Sequence, residues 1–205
     1  MGNTVITIAR SYGSGGRTLG KLLAKELGIN YYDRELIRMA SDESGINEAL
    51  FGEVDEKLKK SPLFRIVKKT YRGEIIPPES GEFVSDDNLF NYQAKVIRQL
   101  AEEESCVIIG RCADYILRDK HPYRIFVYAD MKSRIARCKK RSPESEHLSD
   151  KQIEKHIKSI DKDRAKFYSY FTGNKWGARE NYDLCVNTTN TDIKQLVANL
   201  SKMFK

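Results

Sequence analysis

The chain is poor in the residues that build metal centres and disulfide frameworks, with four cysteines and three histidines among 205 residues. Cys106, Cys112, Cys138 and Cys185 are scattered, with no C-x-x-C pair and no zinc-type cysteine–histidine spacing. A zinc module and a dithiol redox pair are thereby excluded, and each cysteine reads as a small core hydrophobe. His121, His147 and His156 lack motif partners and read as surface or packing residues. No apolar run nears the roughly 20 residues that cross a bilayer. The first residues lack a signal peptide's apolar stretch and cleavage site. The expectation is a cytoplasmic protein with reduced thiols and no membrane partner. Acidic residues are also outnumbered: 29 Asp plus Glu stand against 36 Lys plus Arg, for a formal net charge of +7. That balance suits polyanions such as nucleotides or nucleic acid, although a lysine-rich exterior explains it equally simply.

A hydrophobic fraction of 40% supports one core, and the length suits one α/β domain with a helical insertion. Residues 5–19 read as a β-branched strand, a glycine-rich loop and a helix start. That order builds a phosphate cradle. Small residues let backbone N–H groups approach the oxygens, and the helix N-terminus adds partial positive charge. One more residue is missing here. In the common G-x-x-x-x-G-K-[ST] form a lysine meets the β and γ phosphates. If Gly16-Arg17-Thr18 is its end, Arg17 stands in the lysine position and Ser11 in that of the first glycine. In a second register Gly16 takes the lysine position, and Arg10 or Arg17 supplies the cation. A ligand-free β–α turn is the plain alternative.

Along the chain, strands are expected at 4–9, 29–32, 106–110, 123–129 and 183–187. Helices are expected at 16–27, 34–39, 86–104, 112–117, 131–141, 149–168 and 192–204. Gly28 fits a helix C-cap, and Asp33 and Ser149 fit N-caps. Between 41 and 104, charged helix-compatible pieces alternate with breakers at Ser61-Pro62, Gly73, Pro77-Pro78 and Gly81. Ser142-Pro143 breaks the chain again. Alternating strands and helices imply a parallel sheet covered on both faces.

The carboxyl ends of such strands face the ligand. Asp33 lies there, suited to orienting an acceptor hydroxyl or holding Mg²⁺ through water, with helix capping as the alternative. Arg38 is a weaker candidate for an acceptor phosphate, against a solvated helix face. Arg111 follows a buried strand, where its guanidinium suits bidentate phosphate contact; Asp114 can pair with it or read a ligand. Arg134, Arg137 and Arg141 share one helix face. With Asp161, Asp163, Arg164 and Lys166 they outline a two-helix flap able to close on a transferring phosphoryl group. Arg137 and Arg164 are its best candidates. The aromatic run 167–176 reads as packing or subunit interface before base stacking.

These segments together resemble the cytidylate kinase-like family of P-loop nucleoside monophosphate kinases. The resemblance lies in Ile6-Thr7-Ile8 with Tyr12-Gly13-Ser14-Gly15-Gly16-Arg17, then Tyr31-Tyr32-Asp33, then Ile108-Ile109-Gly110-Arg111 with Ala113-Asp114-Tyr115-Ile116-Leu117. It continues in Tyr170-Phe171-Thr172-Gly173, Trp176-Gly177, Asn181-Tyr182-Asp183-Leu184 and Val186-Asn187-Thr188. It implies a three-layer α/β fold of the P-loop NTPase type, with a parallel five-stranded sheet. The core is expected at 1–40, 105–141 and 181–205, a helical insertion at about 41–104 and a lid at about 142–180. The implied activity is transfer of the ATP γ-phosphoryl to a nucleoside monophosphate or similar small acceptor, with Mg²⁺. On this reading Tyr12, Gly13, Ser14, Gly15, Gly16, Arg17 and Thr18 bind ATP, and Thr18 also holds the metal. Asp33, Arg38, Arg111 and Asp114 bind the acceptor. Arg17, Asp33, Arg137 and Arg164 carry the chemistry. The family's G-K-S-T ending is altered, and of its R-D-x-x-D-x-x-R lid signature Asp161-x-x-Arg164 remains. A nucleotide-binding regulator without turnover is the alternative. Nucleic acid is not an expected partner, and the aromatic run leaves room for a homo-oligomer.

Overall fold

The computed structural model describes residues 2–56, 73–141 and 147–204. Five parallel strands form one sheet in the order β2-β3-β1-β4-β5. They are β1 (Val5–Arg10), β2 (Asn30–Tyr32), β3 (Cys106–Ile109), β4 (Tyr123–Tyr128) and β5 (Leu184–Asn187). The central strand β1 pairs Ile6 with Val107 of β3 and with Tyr123 of β4. All six of its residues are buried, as expected for a parallel strand covered on both faces.

Side chains alternate across the sheet and so divide the interior in two. Ile6, Ile8, Val107 and Ile109 point to a face closed by α1 (Gly16–Leu27) and α8 (Ile193–Leu200), where Leu19, Leu23, Val197 and Leu200 complete an aliphatic core. Val5, Cys106 and Ile108 point the other way. There they meet α2 (Glu35–Ser44), α3 (Glu48–Val54), α4 (Asp86–Glu103), α5 (Ala113–Ile116) and the C-terminal half of α7 (Asp150–Thr172). This second core is aromatic: Phe90 stacks on Phe171 with ring centroids 3.8 Å apart. The remaining helix, α6 (Met131–Arg141), packs on α7 near the carboxyl edge of the sheet.

Local signals set the ends of these helices. Gly28 stops α1 in a left-handed conformation, with its N–H on the carbonyls of Ala24 and Lys25. Ser149 caps α7 through a reciprocal box with Gln152. Some expectations are corrected. Asp33 caps nothing: α2 starts at Glu35 with no side-chain cap. That helix runs on to Ser44 and α7 to Thr172, while the last helix ends at Leu200 in a 3₁₀ turn. Cys106 and Cys112 are buried as expected, but Cys138 is half-buried and Cys185 exposed on the edge strand β5. The breakers Ser61-Pro62 and Ser142-Pro143 lie outside the described residues. Among the described residues no helix is long and apolar enough to cross a membrane.

Candidate active site

Because every strand is parallel, the turns that follow them gather at one edge. The chain leaves β1 toward β2 on one side and later reaches β4 on the other, which opens a crevice beside β1. The glycine-rich loop stands there. It continues the ladder once, as the Ser11 N–H donates to the Val127 carbonyl at 2.9 Å. It then turns through Gly13 and Gly15 at φ 75° and 86°, and Gly15 is the N-cap of α1. The first turn of α1 holds no acidic residue, so its positive end is not neutralised locally. Thr18 is exposed on that turn.

Gly16 bears on the loop register. A Cβ at this position would lie 2.6 Å from Arg10 Cβ and 3.3 Å from Val127 Cβ. No lysine fits there, so cations reach the loop from other elements. Arg134 Nε donates to the Tyr12 carbonyl at 2.6 Å. Arg137 Nη1 donates to the Ser14 carbonyl at 3.2 Å and its Nη2 to the Thr188 carbonyl at 2.6 Å. The Thr188 hydroxyl donates to the same Ser14 carbonyl at 2.6 Å. Asp161 of α7 accepts the Tyr12 N–H at 2.8 Å and pairs with Arg134. The Tyr12 ring lies between His156, edge-on at 5.4 Å, and the Arg164 guanidinium at 5.7 Å. Arg17 turns away from the loop and ion-pairs Asp33 at 2.7 Å.

A buried seam of charge runs beneath the loop. Glu56, which follows α3, accepts from Arg10 Nη1, from Arg164 Nε at 3.0 Å and from the Arg111 N–H at 3.3 Å. Arg164 also donates to the Arg10 carbonyl at 3.0 Å. The Arg111 side chain is 1% exposed and bridges Asp55 at 2.9 Å and Asp33 at 3.5 Å. Gly110 makes the approach possible: a Cβ there would fall 1.9 Å from Glu56 Oε1 and 2.2 Å from Arg10 Nη1. Burial alone would push the Glu56 carboxyl up, but Arg10 and Arg164 outweigh it and hold it far below the usual carboxylate range. Burial likewise opposes the Arg10 charge, and Glu56 more than restores it. Asp55 is raised, by burial first, against the pull of Arg111.

The same cleft has an apolar end. Asp114 is buried at the start of α5 and accepts from the Tyr168 hydroxyl at 2.6 Å, beside Phe167 and Trp176. Burial pushes its carboxyl up to about 6, with the Tyr168 hydrogen bond opposing. Of the two readings of Asp114, the pair with Arg111 does not form, since Arg111 is taken by Asp33 and Asp55. The aromatic run packs internally: Phe167 and Phe171 join the second core, and Trp176 sits edge-on to Phe126 at 5.4 Å. Arg38 is exposed on α2 and has no ion-pair partner among the described residues. The structure thus gathers Tyr12, Gly13, Ser14, Gly15, Gly16, Arg17, Asp33, Arg111, Arg137 and Arg164 at one edge and leaves Arg38 outside. Sequence reasoning missed Asp55 and Glu56 and weighed Arg10 only as an alternative cation.

The donor set bears on the groups such a site holds. Among the described residues no three His, Cys, Asp or Glu side chains converge on a metal position. A hard cation that arrives on phosphate oxygens needs only one or two protein oxygens; Thr18 is exposed, and both Asp33 oxygens are engaged by Arg17 and Arg111. A glycine loop on an acid-free helix N-terminus fits a phosphate chain.

The model of the cytidylate kinase-like family matches residues 5–190. A cytidylate kinase from Thermosipho melanesiensis is 28% identical in an alignment 146 positions long, gaps included, that takes in 64% of this chain and 66% of that protein. The chain therefore spans just under two thirds of that relative. Among solved structures, an uncharacterized protein from Eubacterium ventriosum superposes with a TM-score of 0.69 at 24% identity, over 98% of both chains. A shikimate kinase from Bacteroides thetaiotaomicron does so at 0.55 with 16% identity, also over 98% of both. At these identities the structural likeness speaks for the fold alone.

Proposed function

The chain belongs to the cytidylate kinase-like family, and from that premise we propose that it transfers the γ-phosphoryl of ATP to a nucleoside monophosphate. The observation that carries this reading is the glycine loop on the acid-free N-terminus of α1, ringed by Arg10, Arg134, Arg137 and Arg164, with Arg17 beside it on Asp33. Phosphoryl transfer asks for positioning and charge neutralisation more than for a covalent side chain. Residues 12–18 cradle the triphosphate. Arg17 exchanges Asp33 for the β/γ oxygens, Arg137 and Arg164 neutralise the charge that develops in transfer, and Arg111 and Asp33 orient the acceptor. Asp114 and Arg38 lie at its periphery. The acceptor phosphate oxygen attacks the γ phosphorus in line, and ADP leaves. Thr18, and Asp33 once released by Arg17, would hold magnesium, which would supply further neutralisation of the phosphate oxygens.

A coupled assay of ADP release with each nucleoside monophosphate tests the reading, and silence with all of them rejects it. Arg17→Ala lowers kcat/KM tenfold or more, on the order of 1.4 kcal/mol in the barrier. The altered loop favours a second reading, a nucleotide-binding regulator. Tight binding of magnesium-ATP without product, seen by calorimetry, selects it.

A further inference from the structure

Glu56 has no role in the chemistry just described, yet its carboxylate sits where a ligand oxyanion is best received. We propose that Arg10, Arg164 and the Arg111 backbone N–H form a phosphoryl-binding site which the Glu56 carboxylate fills in the ligand-free protein, and that a phosphoryl dianion displaces it.

Four observations carry this. The donors that converge on Glu56 are two guanidiniums and an amide, the set that recognises phosphate oxygens. They lie at the carboxyl edge of the central strand, under the glycine loop.

The site also has unused capacity. Arg10 Nε is buried and has no hydrogen-bond acceptor among the described residues. A purely structural ion-pair web satisfies its donors. A planar carboxylate offers two oxygens, whereas a tetrahedral phosphoryl group offers three in different directions.

Charge points the same way. Four arginines of the seam (Arg10, Arg17, Arg111, Arg164) face three carboxylates (Asp33, Asp55, Glu56). Withdrawal of Glu56 leaves an excess of two positive charges, which matches a dianion.

Finally, Glu56 arrives by a detachable route. It follows α3, outside the sheet, with φ 55°, a left-handed conformation that side chains other than glycine seldom adopt. Its departure breaks no strand pairing.

The proposal rests on the kinase reading only for the source of the phosphoryl group. Inorganic pyrophosphate, at matched ionic strength, is the probe for the site. Calorimetry on wild type and Glu56→Gln is expected to show pyrophosphate binding at least tenfold tighter in the variant, because the internal competitor has lost its charge. Equal or weaker binding overturns the proposal. Parallel titrations with ATP and with CMP identify the source, as the nucleotide whose Kd falls in the variant.

Should Glu56→Gln fail to fold, wild type supplies the test through hydrogen exchange. Amides of residues 48–56 are expected to exchange at least tenfold faster in saturating pyrophosphate, and unchanged or slower exchange overturns the proposal. Tighter pyrophosphate binding alongside no turnover with any nucleoside monophosphate rejects the kinase reading and leaves this site standing.

Discussion

Two carboxylates line one cleft and meet opposite fates. Glu56 and Asp114 are both withdrawn from water, and burial pushes both carboxyls upward. Around Glu56 stand Arg10, Arg164 and the Arg111 amide, and the carboxyl is held ionised. Around Asp114 stand Tyr168, Phe167 and Trp176, and the carboxyl rises to about 6. Depth therefore does not decide protonation at this edge; the neighbours do. One end of the cleft is built for anions, while the other holds a carboxyl that gains its proton below about pH 6, among aromatic side chains that fit an apolar or hydrogen-bonding part of a ligand.

The contrast breaks most severely at Arg111. Arg111→Met removes the cation between Asp33 and Asp55 and strands the Asp55 carboxylate, while Asp33 keeps Arg17. Unfolding free energy should fall on the order of 4 kcal/mol by urea titration; a loss below about 1 kcal/mol would show that the seam adds little to stability.

The two ends should also respond to pH with opposite sign. The Asp114 pKa is raised on folding, so the native state binds the extra proton between about 4 and 6. Stability from this group is greatest below about 4, falls as pH rises to about 6 and is flat above. The full change is on the order of 3 kcal/mol. Asp114→Asn should abolish that slope in urea midpoints measured from pH 4 to 7, and a slope that persists assigns it elsewhere. Glu56 is lowered on folding, so its contribution is present above the ordinary carboxylate range and lost on acidification below it.

A gentler change sharpens the apolar end. Tyr168→Phe deletes the one side-chain hydrogen bond that opposes burial of Asp114. It should cost about 1 kcal/mol at neutral pH and move the upper limit of the slope to higher pH. An unmoved limit would mean that the hydroxyl does not stabilise the carboxylate. The smallest effect belongs to Arg38, outside both ends: Arg38→Ala should change stability by less than about 0.5 kcal/mol and raise the acceptor KM less than Arg111→Met does.

Much of the frame was legible because it is local. The apolar run of β1, the leucine spacing and Gly28 of α1, and the Ser149 box of α7 act within a few residues. Asp33 misled for a related reason. A short polar residue before a helix reads as a cap, but the carboxylate goes to Arg17 and to Arg111, 78 residues away. Glu56 was not legible at all. It lies in a charged stretch without periodicity, and its partners Arg10 and Arg164 stand 46 and 108 residues off. Arg10 read as the end of a strand because nothing near it in the chain announces a counter-ion.

The clasp on the glycine loop has a consequence for synthesis. The hydroxyl that seizes the Ser14 carbonyl belongs to Thr188, a span of 174 residues. A chain emerging from the ribosome possesses its glycines well before Thr188, and lacks the hand that closes on them until translation has passed β5. Nucleotide affinity should therefore arrive late and abruptly in the life of each molecule, and a fragment that stops before residue 184 would carry the motif without its grip.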